Sequence, residues 1–322
     1  MGFFKNLFSG KEPSEKEREE KQQANNFDVL KYDGIQALSI GRSDYAIACL
    51  THALGIQEDR EAHIALVNAY MRKGELENAV DELSELCELY PDEPTFAVNL
   101  AEGLYQLERY DDMEDACKNA LKIDDTLAAP YYLLAKKELA SDNLSGAEAN
   151  VTKAIDNNKE AYEAYNLRAE IRLKDGRAEE GLTDIERLAA NIDLSDEDLL
   201  LKGKILEAMN RDDEAFECYE SVIATNPFIQ EAYSHCAHIL LQKGESDKAS
   251  EMINDAIEQN GENSTLIYLR SEIKAIHGDE KGSQEDKDLA SKLLAEEKDS
   301  ADKDVDIERE TQERYSSINP FQ

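Results

Sequence analysis

Small and apolar residues recur along the chain at a fixed distance, and polar residues fill most positions between them. The most regular set, here called the first row, has eight members, of which seven are small. They are spaced by one interval of 33 residues and then six of 34: Ala46, Ala79, Met113, Ala147, Gly181, Ala215, Ala249 and Ser283. A period of this length is typical of stacked repeats, in which each unit contacts only its neighbours.

Two further rows keep the same phase. The second row lies seven residues after the first: Ala53, Leu86, Ala120, Ala154, Leu188, Val222, Ala256 and Ala290. The third row lies twelve residues before it: Gly34, Val67, Ala101, Ala135, Ala169, Gly203, Ala237 and Ser271. Two helices approach each other closely only where small side chains meet, so the rows predict a pair of antiparallel helices in each unit.

A glycine separates the two helical segments in five of the units: Gly41, Gly74, Gly176, Gly244 and Gly278. Glycine adopts the left-handed conformation that ends a helix without a steric penalty. The five glycines therefore predict a tight turn between the helices of each pair.

The helix–turn–helix unit resembles the tetratricopeptide repeat. The best matches are residues 61–91 (EAHIALVNAYMRKGELENAVDELSELCELYP) and 230–260 (QEAYSHCAHILLQKGESDKASEMINDAIEQN), within a resemblance that covers residues 27–297. It implies an all-α fold, a right-handed α-solenoid of antiparallel helix pairs with about eight repeats. Met113, Leu86, Leu188 and Val222 replace the small residue usual in the family, and we expect only local repacking around them.

We expect three segments along the chain. Residues 1–26 are a flexible leader, amphipathic and then mixed in charge; residues 27–297 are the solenoid; residues 298–322 are an acidic, disordered tail. Lys287 stands where earlier units carry Leu, Val or Ile, which predicts that the last unit is a polar cap.

The leader begins with four apolar residues on one helical face: Phe3, Phe4, Leu7 and Phe8. Two interpretations stay open. In the first, the four residues form a small anchor that touches a membrane or a partner protein. In the second, they belong to a disordered leader or to a cap on the first repeat.

The chain is strongly acidic. It has 71 Asp and Glu against 36 Lys and Arg, a formal net charge of −35. Such a field repels phosphate backbones and anionic membranes, which argues against nucleic acid and leaves at most a peripheral membrane contact. It either keeps a long helical surface soluble or favours partners of basic character.

Cysteine usage and hydropathy point to the cytoplasm. No stretch approaches the ~20 apolar residues that span a bilayer. Five cysteines occur with no CxxC pair: Cys49, Cys87, Cys117, Cys218 and Cys236. We interpret them as reduced thiols of the helical core in a cytoplasmic protein.

Motifs for catalysis are missing from the sequence. It contains no Gly-rich phosphate loop, GxSxG or HExxH, and we therefore predict no enzyme activity and no cofactor. His235 and His238 are able to share one helical face, but the sequence places no third metal ligand beside them. His52, His63 and His277 stand isolated, and we predict no metal site.

The first helices of stacked pairs are expected to line a concave groove, the usual binding surface of solenoids. The family's inner-face positions, together with the faces left free by the rows, give thirteen candidate lining residues: Asn68, Asn99, Glu102, Tyr105, Tyr132, Lys136, Asn166, Glu170, Lys204, Glu207, His238, Tyr268 and Glu272. A polar groove with aromatic side chains suits an extended peptide or a helix.

Family members that clamp the C-terminal carboxylate of chaperones use Lys, Asn and Arg side chains over three units. The matching positions here include Lys31 and Asn68, but also Ile35, Ile64 and Glu102. Glu102 would repel a carboxylate, so a chaperone clamp is disfavoured.

Two functions are carried forward. The first is a non-catalytic scaffold or adaptor that binds another protein or peptide in the concave groove. The second is a structural or assembly factor of a membrane-associated complex, recruited through the Phe/Leu segment of the leader.

Overall fold

The computed structural model describes residues 15–297, and the regular secondary structure of that range is entirely α-helical. Eight helix pairs follow one another, with helices α1 (Glu15–Ser39), α2 (Ser43–Leu54), α3 (Arg60–Lys73), α4 (Leu76–Leu89), α5 (Pro94–Gln106), α6 (Tyr110–Ile123), α7 (Ala128–Ala140), α8 (Leu144–Asn157), α9 (Tyr162–Lys174), α10 (Ala178–Ala189), α11 (Asp196–Ala208), α12 (Asp212–Thr225), α13 (Gln230–Gln242), α14 (Ser246–Asn260), α15 (Ser264–Ile276) and α16 (280–297).

The chain divides into two compact units, residues 1–164 and 165–322, at a point inside α9. In the first unit each helix from α1 to α7 packs against the next, and α7 packs against α8. First helices of consecutive pairs also meet there, α1 with α3 and α5 with α7. In the second unit the same sequential packing runs from α10 to α15, and α13 contacts α15. Each unit is therefore a stack of antiparallel helix pairs, as predicted.

All three rows lie in the core. Every member of the first row is buried, including the bulky Met113 and the polar Ser283. The second and third rows are buried along their whole length as well. The rows are therefore the contact lines along which helices meet.

The tightest of these contacts pairs a glycine of the third row with a large side chain on the second helix. A Cβ atom built on Gly203 would lie 2.4 Å from Cε1 of Tyr219, which is fully buried. A Cβ on Gly34 would lie 2.7 Å from Cγ of Leu50. Both distances are shorter than real carbon contacts, so glycine is required wherever the facing side chain fills the gap.

The turn between the helices of a pair is left-handed in all eight pairs. The five predicted glycines have φ between 75° and 80°. At the same place the remaining pairs carry Glu108, Asp142 and Asn210, with φ of 57°, 60° and 58°. Asn and Asp tolerate this conformation, and the geometry of the pair imposes it even on Glu108, whose side chain disfavours it.

Two buried carboxylates occupy the same register in different pairs. Asp184 of α10 accepts hydrogen bonds from Arg168 and Arg172 of α9, at 2.7 to 2.9 Å. Asp286 of α16 is likewise bonded by Arg270 of α15 at 2.8 Å, and Lys274 Nζ lies 2.7 Å from it. Both Asp side chains are nearly inaccessible, and each bidentate arginine compensates the burial of the charge. These bonds hold the first helix of a pair to the second.

The end segments follow the sequence pattern in part. Lys287 of α16 is exposed while Ser283 and Ala290 on the same helix are buried, which matches a helix with one polar face. Helix α1 begins at Glu15, inside the segment assigned to the leader. The predicted anchor residues Phe3, Phe4, Leu7 and Phe8 and the tail 298–322 lie outside the described residues. None of the helices within 15–297 is long and apolar enough to cross a membrane.

The five cysteines are unpaired thiols of the core. Four are buried and Cys87 is partly buried. Burial raises the pKa of Cys87 to about 11 and those of Cys117 and Cys236 to about 12. These thiols are therefore protonated at neutral pH and serve as packing groups.

Replacing Glu108 by glycine is expected to stabilise the protein. A non-glycine residue in the left-handed region costs about 1–2 kcal/mol, and the greater freedom of glycine in the unfolded chain offsets part of the gain. We expect Glu108→Gly to raise the free energy of unfolding by about 0.5–1 kcal/mol, measured by urea unfolding. Asn210→Gly is the matched control and should change little, because Asn tolerates this conformation. A Glu108→Gly variant less stable than wild type would refute the argument.

Candidate functional site

The predicted groove residues of the first unit lie on first helices. Asn68 is on α3, Asn99, Glu102 and Tyr105 are on α5, and Tyr132 and Lys136 are on α7. All six are exposed or partly buried, so they remain accessible to a ligand. Helices α5 and α7 are in direct contact, which brings Tyr105 of α5 toward Tyr132 and Lys136 of α7.

Three of these residues form one cluster. The Nζ atom of Lys136 lies 4.2 Å from the ring centroid of Tyr105 and 5.6 Å from that of Tyr132. Tyr105 also meets Tyr110 edge-on, with ring centroids 5.8 Å apart. Contacts between an ammonium group and an aromatic ring contribute about 0.5–1 kcal/mol at exposed sites. We call Tyr105, Tyr132 and Lys136 the aromatic–lysine cluster.

In the second unit the predicted residues connect consecutive first helices. Asn166 of α9 donates to Asp198 of α11 at 2.6 Å. Lys204 of α11 pairs with Glu231 of α13 at 2.6 Å, and His238 Nε2 of α13 lies 3.9 Å from Glu272 of α15. Glu170 pairs within its own helix with Lys174, and Tyr268 is 49% exposed. Most of these polar side chains therefore already have a structural partner.

Glu207 of α11 is bonded to two side chains of neighbouring helices. Its Oε2 accepts a hydrogen bond from the hydroxyl of Tyr219 at 2.5 Å, and Nδ1 of His235 lies 2.7 Å from the same oxygen. The His235 ring stacks on the Tyr219 ring with centroids 4.6 Å apart. Burial alone would raise the pKa of Glu207, but the bonds from His235 and Tyr219 outweigh it and lower that pKa. The carboxylate is thus held ionised by its neighbours.

The two histidines of α13 pair with carboxylates of different first helices. His235 Nδ1 lies 2.7 Å from Glu207 of α11, and His238 Nε2 lies 3.9 Å from Glu272 of α15. Each imidazole has its own carboxylate partner. The two histidines therefore contribute to contacts of α13 with α11 and α15.

The lysine at the chaperone-clamp position is not available to a ligand. Lys31 is 7% exposed, and its Nζ lies 2.8 Å from Asp59 and 2.7 Å from Glu61. Burial opposes the charged form, but these two carboxylates prevail and raise the pKa of Lys31. Lys31 is therefore paired with two carboxylates of the neighbouring helix pair.

His63 is not isolated, contrary to the expectation from the sequence. It is 2% exposed on α3, and its two ring nitrogens meet the carboxylates of Glu82 and Glu58. Burial by itself would lower the pKa of His63, but these two partners outweigh burial and raise it. Glu85 lies one helical turn beyond Glu82 on α4. The sequence separates these residues by up to one repeat, so only the packing of α3 on α4 reveals them.

Two cavities lie among the described residues. One of about 660 Å³ is bounded by α12, α13 and α14, with Phe216, Tyr233, Leu240 and Met252 among its walls. Another of about 410 Å³ lies at the turns of the third and fourth pairs, beside Tyr110 and Lys137. Neither is lined by a predicted groove residue.

Glu207→Gln is expected to destabilise the protein in a pH-dependent way. Folding lowers the pKa of Glu207, so the ionised carboxylate stabilises the folded protein. This contribution is complete above the unfolded-state pKa of about 4.3 and is lost as the pH falls through the lower pKa of the folded state. We expect a deficit of about 1–2 kcal/mol near pH 5, which shrinks toward pH 3 in urea unfolding. Exposed Glu258→Gln should show no such trend. A deficit that stays constant with pH would contradict this role.

Family models describe the same repeat. Models of the tetratricopeptide repeat match residues 60–103, 132–196 and 199–228. The matched ranges lie in the second to the sixth helix pairs, and terminal repeats are commonly atypical. A search of curated proteins found no match to the sequence.

Solved structures with this fold are similar at low sequence identity. PilF of Pseudomonas aeruginosa is 17% identical, with 67% of this chain and 99% of PilF covered at a TM-score of 0.56. The type IV pilus biogenesis factor PilW is 14% identical, with 63% and 94% covered and a TM-score of 0.56. YrrB, described as a protein with an unusual peptide-binding site, is 18% identical, with 58% and 97% covered and a TM-score of 0.50.

At these identities the similar structures establish the fold alone. The eight helix pairs, the buried rows at intervals of about 34 residues and the three matching family models agree with one another. Proteins of this kind generally mediate protein–protein interaction. The chain therefore contains tetratricopeptide repeats, arranged as stacked pairs of helices.

Proposed function

We propose that this protein is a non-catalytic scaffold that binds a peptide or protein segment on the first helices of its first unit. The proposed centre is the aromatic–lysine cluster on α5 and α7. The observation that carries the proposal is that two tyrosines and a lysine gather there in contact with each other while staying partly exposed. Tyrosine side chains at the centre of an interface often supply much of its binding energy.

A comparison of the two units favours the first as the binding surface. In the second unit Asn166, Lys204 and Glu207 each bond to the next first helix, so a ligand would have to break these contacts. At the aromatic–lysine cluster the faces and edges of the tyrosine rings need no hydrogen bond. A ligand is able to cover these rings without leaving a polar group unpaired.

The rigidity of the support also favours binding. Tyr105 and Tyr132 project from α5 and α7, which contact each other and are anchored in the core by buried Ala101 and Ala135. Because the two helices are ordered before the ligand arrives, most of the loss of conformational freedom falls on the ligand. An extended peptide or an amphipathic helix fits this kind of surface.

The charge of the chain suggests the character of the partner. With a net charge of −35, the protein attracts basic segments and accelerates their encounter at low salt. Exposed Glu102 lies on α5 one turn from Tyr105 and is suited to pair with a Lys or Arg of the ligand. We therefore propose a ligand that combines aromatic or aliphatic side chains with basic ones. YrrB, with its described peptide-binding site, is a precedent for peptide binding on this fold.

The alternative, a membrane-associated assembly factor, depends on Phe3, Phe4, Leu7 and Phe8. These residues lie outside the described part of the chain, and that function stays a prediction from the sequence.

Removing the aromatic–lysine cluster is expected to weaken binding. Peptides are selected from a random display library on the intact chain, and their Kd is measured by fluorescence anisotropy. We expect Tyr105→Ala, Tyr132→Ala and Lys136→Ala together to raise the Kd at least tenfold, about 1.4 kcal/mol, because the ligand loses its stacking surface. Circular dichroism checks that the helix content is unchanged.

A similar pair of side chains at the start of a second helix serves as the control. Arg42 lies over the ring of exposed Tyr45 on α2, with Cζ 5.1 Å from the ring centroid. The double variant Arg42→Ala, Tyr45→Ala should bind as wild type does. Unchanged binding by the triple variant, or an equal loss of affinity in the control, would show that the ligand does not bind at the aromatic–lysine cluster.

A further inference from the structure

His63 lies in a setting that its sequence neighbours do not suggest. The imidazole is buried on α3, with only 3% of its side chain exposed. Three carboxylates surround it: Glu58 from the loop before α3, and Glu82 and Glu85 from successive turns of α4. We call these four residues the His63 cluster.

The two nitrogens of the ring have different surroundings. Nδ1 meets Glu82, whose side chain is 12% exposed, whereas Nε2 faces Glu58, whose side chain is 53% exposed. A carboxylate on Nδ1 fixes the tautomer and orientation of an imidazole and makes Nε2 the better ligand atom. This is the arrangement that accompanies metal-bound histidines.

The ligand atoms of Glu58, His63 and Glu85 lie within 4.8 Å of one another. Ligands about 2.0–2.1 Å from a tetrahedral zinc ion are roughly 3.4 Å apart. No pair of the three atoms therefore needs to close by more than about 1.4 Å, and His63 Nε2 and Glu58, which are hydrogen-bonded to each other, need to move apart. Glu58 and Glu85 are both exposed, and Glu58 stands in a loop. Changes of side-chain rotamer are sufficient for this movement.

We propose that the His63 cluster binds one Zn²⁺ ion through His63 Nε2 and the carboxylates of Glu58 and Glu85. Glu82 is a positioning residue that holds the ring through Nδ1, and water completes the coordination. One imidazole with carboxylates suits zinc, whereas Ca²⁺ and Mg²⁺ prefer oxygen ligands throughout. The ion also offsets the repulsion among the three carboxylates.

The bound ion would connect three elements of the first unit. Its ligands come from the loop that follows α2, from α3 and from α4, so it would fasten the second helix pair to the loop that joins it to the first. The site is therefore structural. It is independent of peptide binding and does not depend on the proposed function.

The experiment uses the full chain, stripped of metal with a chelator and titrated with ZnCl₂ by isothermal calorimetry. We expect one strong site and a rise in the midpoint of thermal unfolding on adding zinc. His63→Gln and Glu85→Gln should each weaken binding at least tenfold. Glu82→Gln should weaken it by about 10- to 100-fold through the loss of ring orientation.

Two controls separate this site from other zinc ligands. Glu88→Gln changes an exposed carboxylate on the same helix and should leave the affinity unchanged. The Cε1 proton resonance of His63 should shift on adding one equivalent of zinc. Because Glu85 is exposed, Glu85→Gln stays informative even if His63→Gln fails to fold. Full zinc affinity in Glu85→Gln, or a His63 resonance that zinc does not move, would overturn the proposal.

Discussion

The close approach of the two helices within each pair is the constraint on which the rest of the structure depends. Small side chains in three rows allow this approach, and Gly203 shows how strict it is, since even a Cβ there would collide with Tyr219. The short turn that joins such close helices requires a left-handed residue. That demand overrides the preference of Glu108. Backbone geometry, packing and turn conformation therefore have a single cause.

Once the pairs are fixed, the polar side chains distinguish one from another. Buried Asp184 and Asp286 join first and second helices through arginine, whereas Glu207 joins consecutive first helices through His235. Where such connections occur, the polar side chains already have hydrogen-bond or ion-pair partners within the protein. At Tyr105 and Tyr132 the contacts leave ring surface exposed, and this difference makes the first unit the better candidate for binding a partner.

The sequence predicts most of the fold because the same pattern of small and apolar residues occurs in eight successive units. Periodicity places Ala101 and Ala135 in the core, and it places Tyr105 and Lys136 on first helices. It does not reveal which polar side chains meet. The contact of His63 with Glu58 and Glu82 depends on rotamers and on how α3 packs against α4. Comparing the same register in different pairs would have identified the two buried Asp–Arg contacts, because their residues recur three repeats apart.

The central claim is that a partner segment binds across α5 and α7 of the first unit. The most direct test is amide hydrogen exchange of the intact chain with and without a bound peptide selected for binding. Protection should appear on α5 and α7, around Tyr105 and Tyr132, and the exchange of α12 to α14 should not change. Protection confined to α12 to α14, around the 660 Å³ cavity, would contradict the claim.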